Sequence, residues 1–381
     1  MSQSIKIPPH SYISCNAELV QICANMPATS LLAIDCEFIR RVTFLPVPAL
    51  LQLAWLDSNG NKECALIDPL GIDNWQPLVN RLDSANHNNP VVMHAAGEDI
   101  QVLRQLGIKT FTLFDTQLAC ALATGEDALG LSTLLAGELG VNLSSSVRVQ
   151  RSNWLKRPLS QAQLDYAVLD VIHLPALYAK LRVRLDTLER TQWLWQECDQ
   201  LFTHTSSWPE ESAWSRIKGS NRISKPLELT RLKILAAWRE SIAVECNRPR
   251  NMILADETLL ALCKNPHDLM PELRSSSFGH QARSAQIAAL QLKLQQASDK
   301  DAPPRKLLTK AQRDELKRLK SMVSACAAKI AVPPRLLANK RRLSAKIRGK
   351  EVDFGAWQNP FMQQVLAQHH EQEQILLQEV E

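Results

Sequence analysis

Residues 31–38 read LLAIDCEF, an apolar run that closes on two acids, Asp35 and Glu37. A short apolar run of this kind marks a buried strand. Residues two apart on a strand leave the same face, so both carboxylates point one way. An isolated acid pair at this spacing is usually a strand end turned to water. Here the apolar residues before it set it against a core, and two buried carboxylates on one face call for something positive to meet them. ALLQLAWL (49–56) and ECALIDPL (63–70) read as further strands, separated by the turn residues Asp57, Ser58, Asn59 and Gly60. The three runs predict an antiparallel meander. VVMH (91–94) predicts another short strand. Helical patterns follow at 97–107, 115–125 and 131–140, each closed by a glycine. Residues 160–185 predict one long helix, capped by Ser160 and bent at Pro175. Strands first and then mostly helices give an α/β fold with a mixed sheet flanked by helices.

Beyond this region the pattern turns all-helical. The apolar positions of LELTRLKILAAWRESIAVEC and DETLLALC repeat with helical period, and so do those of LTKAQRDELKRLKSMVSACAAKIAV. Polar, turn-rich stretches separate the blocks. The expected organisation is an α/β domain at 1–205, a linker at 206–226, a helical domain at 227–300 and a second helical domain at 301–381. The two helical blocks are similar in size, which suggests a duplicated module.

Composition excludes several classes. Hydrophobic residues make up 45% and charged residues 22% of the chain, ordinary values for a globular protein that buries a core. Only 12 glycines and 5% aromatics argue against an all-β or low-complexity chain. No stretch approaches the roughly 18 uninterrupted apolar residues of a membrane span, and the first residues lack a signal-peptide pattern. The 9 cysteines are scattered without a C-x-x-C pair, which speaks against a disulfide framework or zinc cluster and for a reducing, cytoplasmic setting. No Walker glycine pattern, H-E-x-x-H or G-x-S-x-G occurs, which removes those chemistries. Net charge is +5, unevenly spread: residues 1–200 carry −5 and residues 201–381 carry +10. Between Arg335 and Lys350 stand seven basic residues and no acid. A basic rear half behind an acidic front half points to a polyanion partner.

Further acids complete a pattern. Asp99 follows His94 at the start of a predicted helix. Tyr166 and Asp170 are four apart on another, hence on one face. Hydrolysis of a phosphodiester needs a hydroxide nucleophile, charge stabilisation at phosphorus and help for the leaving 3′-oxygen. A pair of divalent metals about 3.5–4 Å apart supplies these. Hard cations such as Mg2+ or Mn2+ prefer carboxylate oxygens. A tyrosine beside them, with an ordinary pKa of about 10, orients water more readily than it deprotonates it.

IDCEF, HAAGEDIQVL and YAVLDVIHL resemble, in order, the three exonuclease motifs of the DEDD superfamily in its tyrosine subgroup. The flanks PALLQLAW, LFDTQLA, GLSTLL and RSNWLKRPLSQAQLDYA are similar to the ribonuclease D family. Residues from LKILAAWRES to NPHDL resemble the HRDC-type helical domain shared by certain helicases and ribonuclease D, and 309–381 resembles a more divergent second copy. The resemblance implies a ribonuclease H-like 3′→5′ exoribonuclease with two divalent cations per site, Mg2+ or Mn2+. It implies release of 5′-mononucleotides from RNA 3′ ends, with transfer RNA precursors bearing 3′ extensions as substrate. In that scheme Asp35 bridges both metals, Glu37 and Asp170 complete the first site, Asp99 supports the second, and Tyr166 positions the nucleophile. No membrane and no obligate protein partner are expected, and a monomer is the default.

Other residues carry weaker signals. Gln52, His94, Arg151, Trp154, Arg341 and Arg342 are candidate substrate contacts. His94 reads more readily as a structural strand-end histidine than as a ligand, and Trp154 at least equally as a packed indole. Asp115 reads as a helix cap, Glu98 as an acid suited to the helix dipole, and Trp238 as core. Asn153 stands where relatives carry an acid (RSDW). The sequence leaves two rival functions open: a 3′→5′ DNA exonuclease, since the same carboxylates serve both sugars, and a non-catalytic RNA-binding protein on a nuclease fold.

Overall fold

The computed structural model describes residues 7–143, 147–205, 210–269, 284–304 and 308–378. It divides into two compact units. The first comprises 1–39, 48–205 and 308–381; the second comprises 40–47 and 206–307.

The first unit is built on a six-stranded mixed sheet. Its strands are β1 (Ser11–Ile13), β2 (Leu32–Ile39), β3 (Val47–Leu56), β4 (Lys62–Ile67), β5 (Val91–Met93) and β6 (Leu113–Asp115), in the order β1-β4-β3-β2-β5-β6. β3 and β4 pair antiparallel, as the turn at 57–60 predicts. Asp57 accepts hydrogen bonds from the backbone of Asn59 and Asn61, and Gly60 takes the positive φ of 81° that the turn requires. β1 pairs parallel to β4, β2 to β5, and β5 to β6. Strands β1 and β6 are three residues each, too short to show a periodic pattern in sequence.

Asp115 caps the helix Thr116–Thr124, accepting from the backbone of Gln117 and Leu118, and Gly125 closes that helix with φ 81°. The predicted helix over 160–185 is two helices, Gln161–Val171 and Leu174–Thr187. The chain breaks at Ile172–His173, so that Pro175 falls in the first turn of the second helix. There its missing N–H costs nothing.

The second helical block does not stand apart. Its helices Lys310–Lys329, Lys340–Ile347 and Asn359–Gln378 belong to the first unit. Leu319, Val323, Leu337, Trp357 and Met362 are buried in the same apolar cluster as the sheet. Trp357 stacks on Trp193 at 4.6 Å, and its indole N–H donates to Glu197 at 2.9 Å. The expected boundary at 301 therefore separates two stretches of sequence, while the described residues from Leu308 onward share a core with the sheet.

The second unit is helical: Pro226–Glu245, Arg250–Ile253, Asp256–Leu262 and Ser284–Gln295. The linker expected at 206–226 is, from Glu210 on, part of this unit. It forms the 3-10 segments Glu210–Arg216 and Ser220–Arg222, and Trp214, Ile217 and Ile223 are buried in the unit's core. Polarity concealed those apolar anchors. Residues 40–47 also belong here: Phe44 is buried with Ile242, Ala243 and Ile253, and Asn247 accepts a hydrogen bond from the Leu45 backbone at 2.9 Å.

The suspected duplication has structural support within each unit. Pro226–Glu245, Arg250–Ile253 and Asp256–Leu262 recur as Lys310–Lys329, Pro334–Leu337 and Lys340–Ile347, every start displaced by the same 84 residues. The rare positive φ at Asn247 (46°) recurs at Ala331 (48°), again with that offset.

Candidate active site

Strand β2 delivers the first acids. Ile34 and Cys36 are buried on it, whereas Asp35 and Glu37 are only partly covered. The helix Gln161–Val171 packs against β2 and β4 and delivers Tyr166 and Asp170. Its start is fixed by a capping box in which Ser160 and Gln163 bond reciprocally. The result is a tight group: one carboxylate oxygen from each of Asp35, Glu37 and Asp170 lies within 4.8 Å of the others. The Tyr166 hydroxyl and the Asp170 carboxylate interact electrostatically. All four line one cleft of about 800 Å3. Asp99 opens the helix Asp99–Gln105 and is 8% exposed. It is not among the lining residues, yet its charge acts on Glu37 and is acted on by Asp35.

So many buried carboxylates cannot all ionise cheaply. Burial raises Asp35 to about 7. Burial, then the charges of Asp35, Asp170 and Asp99, push Glu37 up to about 10. Asp99 and Asp170 also lie well above the usual carboxylate range, through burial first and Asp35 second. Burial, reinforced by the acids beside it, raises the Tyr166 phenol, which therefore stays protonated at neutral pH. The Cys36 thiol is pushed up in the same way and offers no thiolate. What remains is a set of carboxylate oxygens whose ionised forms a cation among them would favour. That set fits hard divalent metals. We expect metal binding to expel protons and to tighten as pH rises from 6 to 9. Calorimetric titration with Mn2+ in two buffers of different ionisation enthalpy measures this; equal heats in both would refute it.

The remaining candidates divide. His94 lines the cleft; its Nδ1 is 2.9 Å from the Thr116 hydroxyl, and its buried Nε2 has no hydrogen-bond partner. Burial lowers its pKa, so the ring is neutral. Gln52 does not reach substrate: it is completely buried on the inner strand β3, with both amide atoms unpartnered. Trp154 is 1% exposed, donates its indole N–H to Gln150 and packs 6.0 Å from Tyr166, so its ring has no surface to offer RNA and serves to back the tyrosine. Arg342 is tied to the Phe354 carbonyl and the Gln200 amide, which makes it a structural tether. Arg151 and Arg341 are exposed, away from the cleft lining.

Sequence reasoning missed other contributors. Asp115 does more than cap a helix: it also accepts from the backbone of Ala95 and Ala96, holding the loop between His94 and Asp99. Gln117, Gln150 and Asp165 line the cleft; only Asp165, next to Tyr166, had a positional signal. Arg157 anchors the segment before the third motif, donating to Asp68 and to the Ala49 and Trp154 carbonyls.

A sheet of this order with an acid cleft of this make-up defines a class: residues 10–186 match the 3′-5′ exonuclease family, and residues 228–283 match the HRDC domain. Ribonuclease D of Zymomonas mobilis subsp. mobilis is 40% identical over 263 residues, covering 68% of this chain and 64% of that protein. The chain thus spans just under two thirds of that relative's length. Ribonuclease D of Pseudomonas paraeruginosa is 36% identical over 272 residues, covering 70% of this chain and 69% of that protein. The crystal structure of Escherichia coli RNase D, an exoribonuclease involved in structured RNA processing, superimposes with a TM-score of 0.81 at 25% identity, covering 96% of this chain and 99% of that one. The chain belongs to the ribonuclease D family. No helix among its described residues is long and apolar enough to cross a membrane.

Proposed function

We propose that this protein is a metal-dependent 3′→5′ exoribonuclease that releases 5′-mononucleotides, acting on transfer RNA precursors with 3′ extensions. The observation that carries the reading is the convergence of Asp35, Glu37 and Asp170 within 4.8 Å beside Tyr166. Asp35, Glu37 and Asp170, with Asp99 behind them, are the residues that would hold two Mg2+ or Mn2+ ions. Bound there, such ions neutralise charge at the scissile phosphate and lower the pKa of water.

The chain's own residues supply the rest. Tyr166, kept as a phenol beside Asp170, orients the attacking water by hydrogen bonding. Trp154 holds the ring from behind. Neutral His94, held through Nδ1 by the Thr116 hydroxyl, forms part of the cleft wall. Tyr166→Phe should lower kcat by about a hundredfold, since it removes orientation but no ligand, while Mn2+ affinity stays unchanged. A parallel loss of affinity would instead make Tyr166 part of the metal site.

The test is product analysis on a 3′-extended transfer RNA with Mg2+, with Mn2+ and with EDTA, alongside a matched DNA strand. Stepwise appearance of 5′-mononucleotides from RNA, abolished by EDTA, is expected. Internal fragments, or degradation that persists in EDTA, would overturn the reading. Faster loss of the DNA strand would favour the DNA exonuclease.

A further inference from the structure

Strand β2 loses part of its sheet support where it carries the acids. Its register with β5 covers Leu32 and Ala33, and β5 ends at Met93, so that ladder stops short of Asp35 and Glu37. Strand β3 flanks the other edge of β2. The strand itself ends at Ile39, and the residues that follow, 40–47, belong to the second unit. There the loop is firmly anchored. Phe44 is 2% exposed and packs with Ile242, Ala243 and Ile253. The Leu45 backbone N–H donates to Asn247 Oδ1 at 2.9 Å, and Arg248 donates to the Val42 carbonyl at 3.4 Å. The Arg250 guanidinium lies over the Phe44 ring, 4.6 Å from its centroid. Glu240, 1% exposed, accepts both arms of the Arg250 fork at 2.6 Å and so fixes that cover.

The duplicated module forms without these groups. At the 84-residue offset seen above, Glu240, Asn247 and Arg250 correspond to Ser324, Ala331 and Pro334. Ala331 takes the positive φ of Asn247, 48° against 46°, so the turn does not require a carboxamide. Asparagine tolerates such backbone well, but here its Oδ1 also engages a backbone N–H 202 residues away in the chain. Burying a carboxylate and its arginine is costly where apolar packing serves as well. The copy that carries them is the copy that holds the loop.

We propose that Phe44 and Asn247 are positioning residues: by fixing the loop 40–47 they fix the end of β2, and with it the carboxylates of Asp35 and Glu37. Both act through the strand and not on the reacting atoms. Phe38 and Ile39 alone stand between Glu37 and the loop, a span of about 10 Å of extended chain. Metal ligands must hold their places to within about 0.5 Å, so slack at that distance reaches the site. The proposal rests on the exoribonuclease reading for its reaction. It gives the helical unit a task distinct from gripping RNA.

The experiment measures kcat and KM for Mg2+-dependent hydrolysis of a trinucleotide, and Mn2+ affinity by calorimetry, on the full chain. It compares wild type with Phe44→Ala, Asn247→Gly, Asn247→Asp and Leu290→Ala. Glycine takes the positive φ of the turn and removes the side chain; aspartate restores an acceptor. Leu290 is buried in an apolar cluster of the helical unit that contains no residue of 40–47, so its alanine reports loss of core alone. Phe44→Ala should lower kcat and weaken Mn2+ binding about tenfold each, with KM within about twofold. Asn247→Gly should do the same by about threefold, while Asn247→Asp and Leu290→Ala stay near wild type. Unchanged kcat and Mn2+ affinity in Phe44→Ala and Asn247→Gly overturn the proposal, as does an equal loss in Leu290→Ala. A rise in KM alone makes the loop a substrate contact and overturns it too. Should Phe44→Ala fail to fold, Asn247→Gly and its aspartate rescue decide. Should wild type leave the trinucleotide intact, the exonuclease reading fails, while Mn2+ affinity still decides whether the loop positions the acids.

Discussion

Asp35→Asn should reduce metal-dependent nucleotide release by at least about a thousandfold and, in the absence of metal, make the protein more stable at pH 8. The first effect follows from position. Asp35 shares a 4.8 Å group with Glu37 and Asp170, and its charge raises both those acids and Asp99. An amide of the same shape removes the anionic ligand and leaves the packing. The second effect follows from linkage. Burial raises Asp35 to about 7 in the folded chain, against about 4 for an aspartate in an unfolded one. Between those values the folded state holds the proton more tightly, so stability is greatest below pH 4 as far as this group is concerned and is lost as pH rises through 7. Glu37, raised to about 10, adds to the same slope above pH 7. The asparagine has no proton to lose, and it relieves the repulsion on its neighbours. Melting in EDTA at pH 8 should therefore rise by about 5 °C for the variant, and the wild type should recover the difference with Mn2+. A variant that melts lower than wild type in EDTA would show that Asp35 stabilises the apo fold, and the electrostatic account of the cleft would be wrong.

Asp35, Glu37 and Asp170 stand out in the sequence by position, whereas Asp99, in the first turn of a helix where an acid is favoured, does not. Two carboxylates on one face of an apolar strand, and a tyrosine one helical turn before an aspartate, are exceptions to patterning, and exceptions of that kind gather at functional sites. Strands β2, β3, β4 and β5 were legible for the opposite reason, as runs that obey the pattern. Side-chain direction was not. Gln52 and Trp154 stand near the motifs in sequence, and only the sheet order and the packing against Tyr166 show that one is sealed within the sheet and the other lies behind the ring. Arg342 belongs to a run that reads as a free basic face, yet long-range bonds to Gln200 and Phe354 hold it. The long helix over 160–185 was misjudged by where proline acts: it favours a first turn over an interior bend.

Domain limits were hardest to read, because the apolar residues that join the last helices to the sheet lie far from it in sequence. A chain ending at Pro304 should lose more than about 10 °C in the melting of its nuclease-like part, or fail to stay soluble. The segment from Lys310 onward supplies Leu316, Leu319, Val323, Leu337, Phe354, Trp357 and Met362 to the cluster that contains the sheet. Burying one such side chain fully is worth about 1.5–3 kcal/mol. Part of that apolar contact lies among the helices themselves, so their full sum is not at stake. The contacts across to the sheet domain are nonetheless several: Trp357 on Trp193, its indole N–H and Gln358 on Glu197, Arg335 on Asp127, and Arg190 on the Ala331 carbonyl. Their removal uncovers Trp193 and leaves Glu197, whose pKa burial raises, without its hydrogen-bond donors. Against a net stability of about 5–15 kcal/mol, losing even two or three buried contacts is a large fraction. Truncation therefore tests core integrity before it tests RNA grip, and a fall in RNA affinity after deletion says nothing about the basic segment. Trp357→Ala separates the two: it should cost about 3–5 kcal/mol by thermal or denaturant melting and leave every basic residue in place. A Pro304-terminated chain that melts within about 2 °C of the full chain would mean that these helices decorate the sheet domain and do not complete its core.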